Sequence, residues 1–156
     1  MLEFINISHR YNKKIILNDF SMKLEVGEVV SLLGPSGCGK TTLLKLASGI
    51  EKLQKGEIKL NDKIVSSFNF HLNSDKRQIG YVFQDCALFP HLTIVENIFF
   101  SIKKNDIEKS SQKIQNLMDE IDISNLANNY PHELSGGQQQ QVALVRAMAS
   151  DPKIIF

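Results

Sequence analysis

Apolar and polar residues alternate strictly along residues 19–26. The apolar members of this alternation are Phe20, Met22, Leu24 and Val26. A period of two predicts a half-buried strand with one face in water. The apolar residues at the beginning of the chain, between Leu2 and Ile7, predict a short opening strand.

A compact apolar run at residues 29–33 differs from this alternation and predicts a strand buried on both faces. Residues 41–47 follow a glycine-rich segment and predict a helix that Gly49 ends. Residues 57–65 predict a hairpin that turns at Asn61-Asp62. Another short apolar strand is expected at residues 79–83.

The second half of the chain is mainly helical in pattern. Residues 107–121 carry an apolar stripe at helical spacing, which indicates helix packing rather than a cofactor site. Ser135 is a suitable N-cap for a helix that reaches residue 149, and Asp151-Pro152 would stop it. Residues 154–156 resemble the start of a buried strand. The members of the stripe are Ile114, Leu117, Met118 and Ile121.

Composition and charge reduce the number of possible functions but do not identify a single one. The chain has 156 residues, of which 42% are hydrophobic, as in ordinary globular domains. Its net charge of +1 and the absence of long charged runs give no reason to expect a nucleic-acid partner. Cys38 and Cys86 are expected to be reduced thiols. No signal peptide or membrane span is visible, so membrane contact would require a partner.

The segment GPSGCGKT at residues 34–41 fits the phosphate-binding pattern G-x-x-x-x-G-K-[ST]. Its glycines let successive backbone N–H groups point at phosphate oxygens, and the following helix adds its positive end. Lys40 should reach the β and γ phosphates, and the Thr41 hydroxyl should bind Mg²⁺. The alternative is a glycine-rich turn without a ligand. The predicted cofactor-binding residues here are Gly34, Pro35, Ser36, Gly37, Cys38, Gly39, Lys40, Thr41 and Thr42.

A second motif, LSGGQ, occupies residues 134–138. A serine and two glycines at the start of a helix offer another set of backbone donors for an anion. Taken alone, the segment could equally be an ordinary helix N-cap.

Together, the phosphate loop, Gln84 within YVFQD and LSGGQ resemble, in order and spacing, an ATP-binding cassette ATPase of ABC transporters. The resemblance covers the whole chain. It implies an α/β fold, with a P-loop NTPase core containing a parallel sheet, an N-terminal antiparallel β subdomain and a helical subdomain. The implied division is residues 1–86 for the core and β subdomain, 87–135 for the helical subdomain, and 136–156 for the return to the core.

The same resemblance implies binding roles for ATP and Mg²⁺. Tyr11 would stack on adenine, although it could also be an ordinary core or surface tyrosine. Gln84 would contribute to the binding of Mg²⁺ and of the attacking water. In a head-to-tail pair of cassettes, the signature would act on the nucleotide of the other protomer. The residues acting in trans would be Ser135, Gly136, Gly137 and Gln138.

The implied partners are a second cassette, either a homodimer or another ABC subunit, and transmembrane permease subunits. The helical subdomain would grip the permease, with a contact surface near residues 88–96. The protein would then lie in the cytoplasm, peripheral to the inner face of the cell membrane.

Cassette ATPases continue from the signature helix into four apolar residues and Asp-Glu, whereas this chain shows only Ile154, Ile155 and Phe156. The Asp supports Mg²⁺ and the Glu polarises water. No catalytic residue is therefore assigned, none of the four histidines stands in, and the C-terminal part of the fold is expected to be missing. Hydrolysis is expected only of an intact, longer protein.

Segments 76–85 and 87–98 most resemble importers of the ferric-iron type, followed by polyamine and sugar importers. Two departures are Gln141, where the family usually has arginine, and the absence of prolines in residues 66–75. Two alternatives stay open: a non-catalytic nucleotide-binding remnant, and a soluble cassette protein that works on DNA or ribosomes.

Overall fold

The computed structural model describes residues 1–102 and 106–156. The chain forms two compact units, Met1–Arg77 and Gln78–Phe156, which are described separately below. Residues 103–105 fall within the predicted helical subdomain but outside the described residues. The predicted division at residues 86 and 135 stays a prediction.

The first unit contains a four-stranded antiparallel sheet. Its core face follows the alternation of the sequence, with Phe4, Ile7 and Ile58 almost fully buried. The antiparallel β subdomain is therefore present as predicted. The strands are β1 (Leu2–Tyr11), β2 (Lys14–Leu24), β3 (Lys55–Leu60) and β4 (Lys63–Ser67). Their order across the sheet is β2-β1-β3-β4.

The turn between β3 and β4 confirms the predicted hairpin. Asn61 and Asp62 both have positive φ angles, 48° and 62°. Two consecutive left-handed residues are what a type I′ turn requires, and Asn and Asp tolerate this conformation better than other non-glycine residues.

Helix α1 (Lys40–Ser48) confirms the predicted helix and its stop signal. Gly49 ends it in the left-handed conformation, with φ at 78°. A Cβ at Gly49 would lie 2.4 Å from Nε of Arg77, so the position requires glycine for space as well as for backbone angle. A short 3₁₀ helix at Ser74–Lys76 precedes Arg77.

The apolar run at residues 29–33 is not the buried strand that the pattern predicts. It forms no strand, and Val29 and Leu33 are 94% and 91% exposed. A strand buried on both faces needs hydrogen-bonded neighbours, and no described strand of this unit pairs with the run. Val26 is likewise exposed, because β2 ends at Leu24.

In its described residues, the second unit packs three α-helices around one apolar core. They are α2 (Ile94–Phe99), α3 (Ile107–Glu120) and α4 (Gly136–Ala149), joined in part by 3₁₀ helices at Ser124–Leu126 and Pro131–Glu133. The predicted stripe of α3 buries Ile114 and Met118 completely. The buried core comprises Ile94, Ile98, Ile114, Met118, Ile123, Leu134, Val142, Val145 and Ala149.

A parallel pair of short strands, β5 (Ile79–Gly80) and β6 (Ile154–Ile155), completes this unit. The strand predicted over residues 79–83 is thus shorter than expected. The prediction of a buried strand at residues 154–156 was wrong about burial, because Ile155 is 41% exposed. A pair of two-residue strands covers too little surface to bury both of its faces. Among the described residues, no helix combines the length and apolar character that crossing a bilayer would require.

Candidate nucleotide-binding site

The loop before α1 is shaped by glycines. Gly37 and Gly39 adopt positive φ angles of 81° and 103°. A Cβ at Gly39 would lie 3.0 Å from side-chain atoms of both Ile16 and Leu17, so a larger residue would push the loop away from β2. Gly39 also begins α1 without a side-chain cap. The first N–H groups of α1 are therefore free of a competing cap at the end of the loop.

The ammonium group of Lys40 lies against the loop that precedes it. Its Nζ donates to the carbonyl oxygens of Gly34 at 2.6 Å and Pro35 at 3.0 Å, and lies 3.6 Å from Sγ of Cys38. The loop thus curls around a single positive charge beside a helix N-terminus. Such a donor set suits phosphate oxygens.

The other loop residues differ in exposure. Pro35, Ser36 and Thr41 are exposed to solvent, and Cys38 is an exposed free thiol. Thr42 is buried, with 8% of its surface exposed. Of the two threonines, the exposed Thr41 is the one whose hydroxyl is open to a metal ion from solvent.

Tyr11, the last residue of β1, is 42% exposed. Its hydroxyl donates to Oε2 of Glu51, and its ring stands edge-on to the His9 ring with centroids 5.0 Å apart. Burial raises the pKa of the Tyr11 phenol, the hydrogen bond to Glu51 raises it further, and the nearby Thr42 side chain offsets part of the rise. The phenol therefore stays protonated as a donor, and the structure brings Tyr11 close to the start of α1.

Sequence reasoning missed two residues that support Tyr11. Glu51 also contacts His9, with Oε1 3.0 Å from Nε2. Gln54 binds the backbone of Arg10 twice, accepting from its N–H at 2.9 Å and donating to its carbonyl at 3.0 Å. Both lie in the polar connection after α1, where no motif or periodicity distinguishes them.

The signature segment begins α4 as a capped helix. The hydroxyl of Ser135 accepts from the N–H of Gln138 at 3.3 Å, and the Gln138 side chain accepts from the N–H of Ser135 at 2.9 Å. Leu134 anchors the segment in the apolar core. Gly136 and Gly137 have open space where a Cβ would stand, so this surface is accessible to another molecule.

Gln84 lies in an exposed turn of the second unit. Cys86 and Ala87, which follow it, have positive φ angles of 60° and 43°. Arg146 of α4 donates to both carbonyls, at 2.6 Å to Cys86 and 2.7 Å to Ala87. The helix that starts at the signature thus also holds the turn after Gln84. No pattern in the sequence marked Arg146 for this contact.

The model of the family described as "ABC transporter" matches residues 17–156. This match covers the phosphate loop, Gln84 and the signature together. The chain belongs to the ABC transporter family.

Relatives in this family include importer components. The chain is 42% identical to the "Fe(3+) ions import ATP-binding protein FbpC 2" of Haemophilus influenzae, over all of this chain and 44% of that protein. It is 38% identical to the "Spermidine/putrescine import ATP-binding protein PotA" of Hahella chejuensis, over all of this chain and 42% of that protein. The chain thus spans less than half the length of these relatives.

A solved ATP-binding cassette confirms the predicted fold class. That structure is a dimer in a post-hydrolysis state bound to ADP and Pi. It is 31% identical with a TM-score of 0.78, and the match covers 99% of this chain and 72% of the other. The ABC cassette fold is thus established, while the roles of single site residues stay predictions.

An apolar groove of about 410 Å³ lies beside the Gln84 turn of this ABC chain, within the second unit. The Phe89 and Phe100 rings pack in it with centroids 4.4 Å apart. Asn97, fully buried, stabilises its rim by accepting from the N–H of Phe89 at 2.8 Å and donating to the carbonyls of Phe89, Leu92 and Thr93. Among the residues that line the groove, Phe89 alone lies within residues 88–96, the stretch predicted to contact the permease.

Gln141 stands where the resemblance leads one to expect arginine. Its Nε2 donates to the carbonyl of Ile121 at 3.3 Å, just beyond the end of α3. The amide therefore joins α4 to the end of α3 by a neutral hydrogen bond.

Proposed function

We propose that this chain forms part of the ATP-binding subunit of an ABC importer and binds ATP with Mg²⁺ at residues 34–42. The observation that carries the proposal is the Lys40 ammonium, enclosed by the glycine loop at the uncapped start of α1. This donor set fits a triphosphate. On ATP binding, Lys40 would exchange loop carbonyls for phosphate oxygens of opposite charge.

The other predicted residues complete the proposed site. Thr41, with Gln84, would hold Mg²⁺, which neutralises phosphate charge when bound. Tyr11 would stack on the adenine ring. In a pair of cassettes, the exposed start of α4 would face the γ-phosphate held by the other protomer. The residues proposed for that contact are Ser135, Gly136, Gly137 and Gln138.

We propose that ATP hydrolysis is carried out by a longer protein of which this chain is a part. We do not propose a general base within this chain. The relatives extend to more than twice the matched length. No residue of the 156 is proposed as the group that polarises the attacking water.

The proposed partners are a second cassette and a transmembrane permease, with the groove at Phe89 and Phe100 as the permease contact. With these partners, the protein would lie in the cytoplasm, at the inner face of the membrane. Ferric iron is the proposed cargo, because an iron importer component shares 42% identity with this chain.

Lys40→Ala is expected to weaken ATP binding by about 1.5–3 kcal/mol, because it removes a charged donor to phosphate. Isothermal titration calorimetry with ATP and Mg²⁺ measures the effect. Lys63→Ala, at an exposed lysine on the β3–β4 hairpin, is the matched control. Equal ATP affinity in both variants would contradict the assignment of the loop.

A further inference from the structure

Tyr11 can serve as a stacking surface for a base only if its ring is held in one orientation. The end of a strand is a poor place for this, because an exposed tyrosine side chain turns freely. In this structure two contacts restrain it: the hydrogen bond to Glu51 and the edge contact with His9.

Glu51 lies at the centre of these contacts. One carboxylate oxygen accepts from the Tyr11 hydroxyl and the other lies 3.0 Å from Nε2 of His9. His9 is 3% exposed, and its Nδ1 has no hydrogen-bond partner among the described residues. Its contact with Glu51 is therefore the only polar restraint found on this ring in the described part of the chain.

The position of Glu51 connects this group to the phosphate loop. Glu51 follows the Gly49 cap of α1, and its N–H donates to the carbonyl of Lys45 at 3.2 Å. Gln54, three residues later, holds the backbone of Arg10 next to Tyr11. The segment after α1 therefore ties the end of β1 to the helix that the phosphate loop begins.

We propose that Glu51 is a positioning residue for nucleotide binding, whose carboxylate, backed by His9, fixes the Tyr11 ring against the adenine base. The inference rests on the proposed function, and in particular on base stacking by Tyr11. It assigns Glu51 to the recognition of the base and not of the phosphates.

The test compares ATP with inorganic tripolyphosphate, which has phosphates but no base, by calorimetry on the full 156-residue chain. Glu51→Gln, Glu51→Ala and Tyr11→Phe are each expected to weaken ATP binding roughly two- to tenfold, the range of lost aromatic stacking. Tripolyphosphate affinity should stay within about twofold. The Tyr11→Phe/Glu51→Gln double variant should bind ATP no more weakly than the weaker single variant, because both changes act on the same contact: the first removes the hydroxyl donor, and the second replaces the carboxylate by an amide with one acceptor oxygen.

Glu120→Gln, which changes an exposed carboxylate of α3, is the matched control and should leave both affinities unchanged. Tyr11→Phe and Glu51→Gln are nearly isosteric, so they keep the test valid if Glu51→Ala does not fold. Thermal unfolding of each variant checks this.

Three results would overturn the inference while leaving ATP binding by the loop intact. In the first, Tyr11→Ala weakens ATP binding but Glu51→Gln and Tyr11→Phe do not, so that the ring stacks without support. In the second, the Glu51 variants weaken ATP and tripolyphosphate equally, which indicates a structural role. In the third, Tyr11→Ala leaves ATP affinity unchanged. If Lys40→Ala also leaves ATP affinity unchanged, the proposed function itself fails.

Discussion

At the scale of single residues, Arg77 is a buried charge of the first unit that hydrogen bonds stabilise. It is 1% exposed, and its guanidinium donates to four backbone carbonyls and one hydroxyl. Burial lowers the pKa of Arg77 to about 10, which leaves it charged at neutral pH. No carboxylate is among its partners in the described part of the chain. The acceptors are the carbonyls of Leu46, Ala47, Val65 and Leu72 and the hydroxyl of Ser66, and Nδ1 of the His71 ring lies 3.5 Å from Nη2.

Arg77→Met is expected to lower the free energy of unfolding by about 3–5 kcal/mol, because it leaves several buried acceptors without donors. Urea unfolding followed by circular dichroism measures the change. Arg10→Met, at an exposed arginine, should stay within about 0.5 kcal/mol of the unchanged protein. Similar losses in the two variants would show that the buried hydrogen bonds contribute little.

At the scale of elements, α2 depends on a capping box. Thr93 caps the helix, and Glu96 accepts from the Thr93 backbone N–H at 2.7 Å and from its hydroxyl at 2.8 Å. These two hydrogen bonds, the backbone one first, lower the pKa of Glu96. A carboxylate whose folded pKa is lowered stabilises the fold above its unfolded value of about 4.3, and the contribution disappears as pH falls through the folded value.

The stability difference between the unchanged protein and Glu96→Gln should therefore be full near pH 7 and shrink as pH falls below about 4.3. Chemical unfolding at a series of pH values from neutral to acid measures it. Glu120→Gln, which removes an exposed carboxylate of α3, controls for the change in net charge. A difference that grows toward acid pH would contradict the role of the ionised Glu96 cap.

At the scale of the whole molecule, the proposed importer function requires both nucleotide binding and a permease contact. Under that proposal, Phe100, which is 64% exposed in the groove, would serve the permease contact, and Lys40 would serve nucleotide binding. A large exposed aromatic residue in an apolar groove is typical of a protein contact.

In cells that produce the longer protein, Phe100→Ser is expected to lower uptake of labelled ferric iron severalfold without changing the ATP affinity of the purified chain. Phe68→Ser, at an 80% exposed phenylalanine of the other unit, is the matched control. Lys40→Ala should abolish uptake. Parallel uptake assays with spermidine and sulfate test which cargo is carried. If Lys40→Ala loses uptake of spermidine alone, spermidine replaces iron as the proposed substrate. Normal uptake of all three in Lys40→Ala would contradict the importer function.

Much of the local structure around the candidate site was predictable because its signals are local. The phosphate loop, the Gly49 stop, the Asn61-Asp62 turn and the Ser135 cap each depend on backbone angles and hydrogen bonds within a few residues. Sequence alone therefore determined the start of α1 to within one residue and the Ser135 cap at which α4 begins. The family resemblance rests on these same segments.

Only the tertiary structure decided what depends on residues far apart in the chain. Tyr11 meets Glu51 across 40 positions, and Arg146 meets Cys86 across 60. Neither pair shares a motif or a period, since their contacts arise from how elements pack. Burial is decided the same way: the apolar run at residues 29–33 has the composition of a buried strand, but Val29 is exposed because a strand is buried only where neighbours cover it.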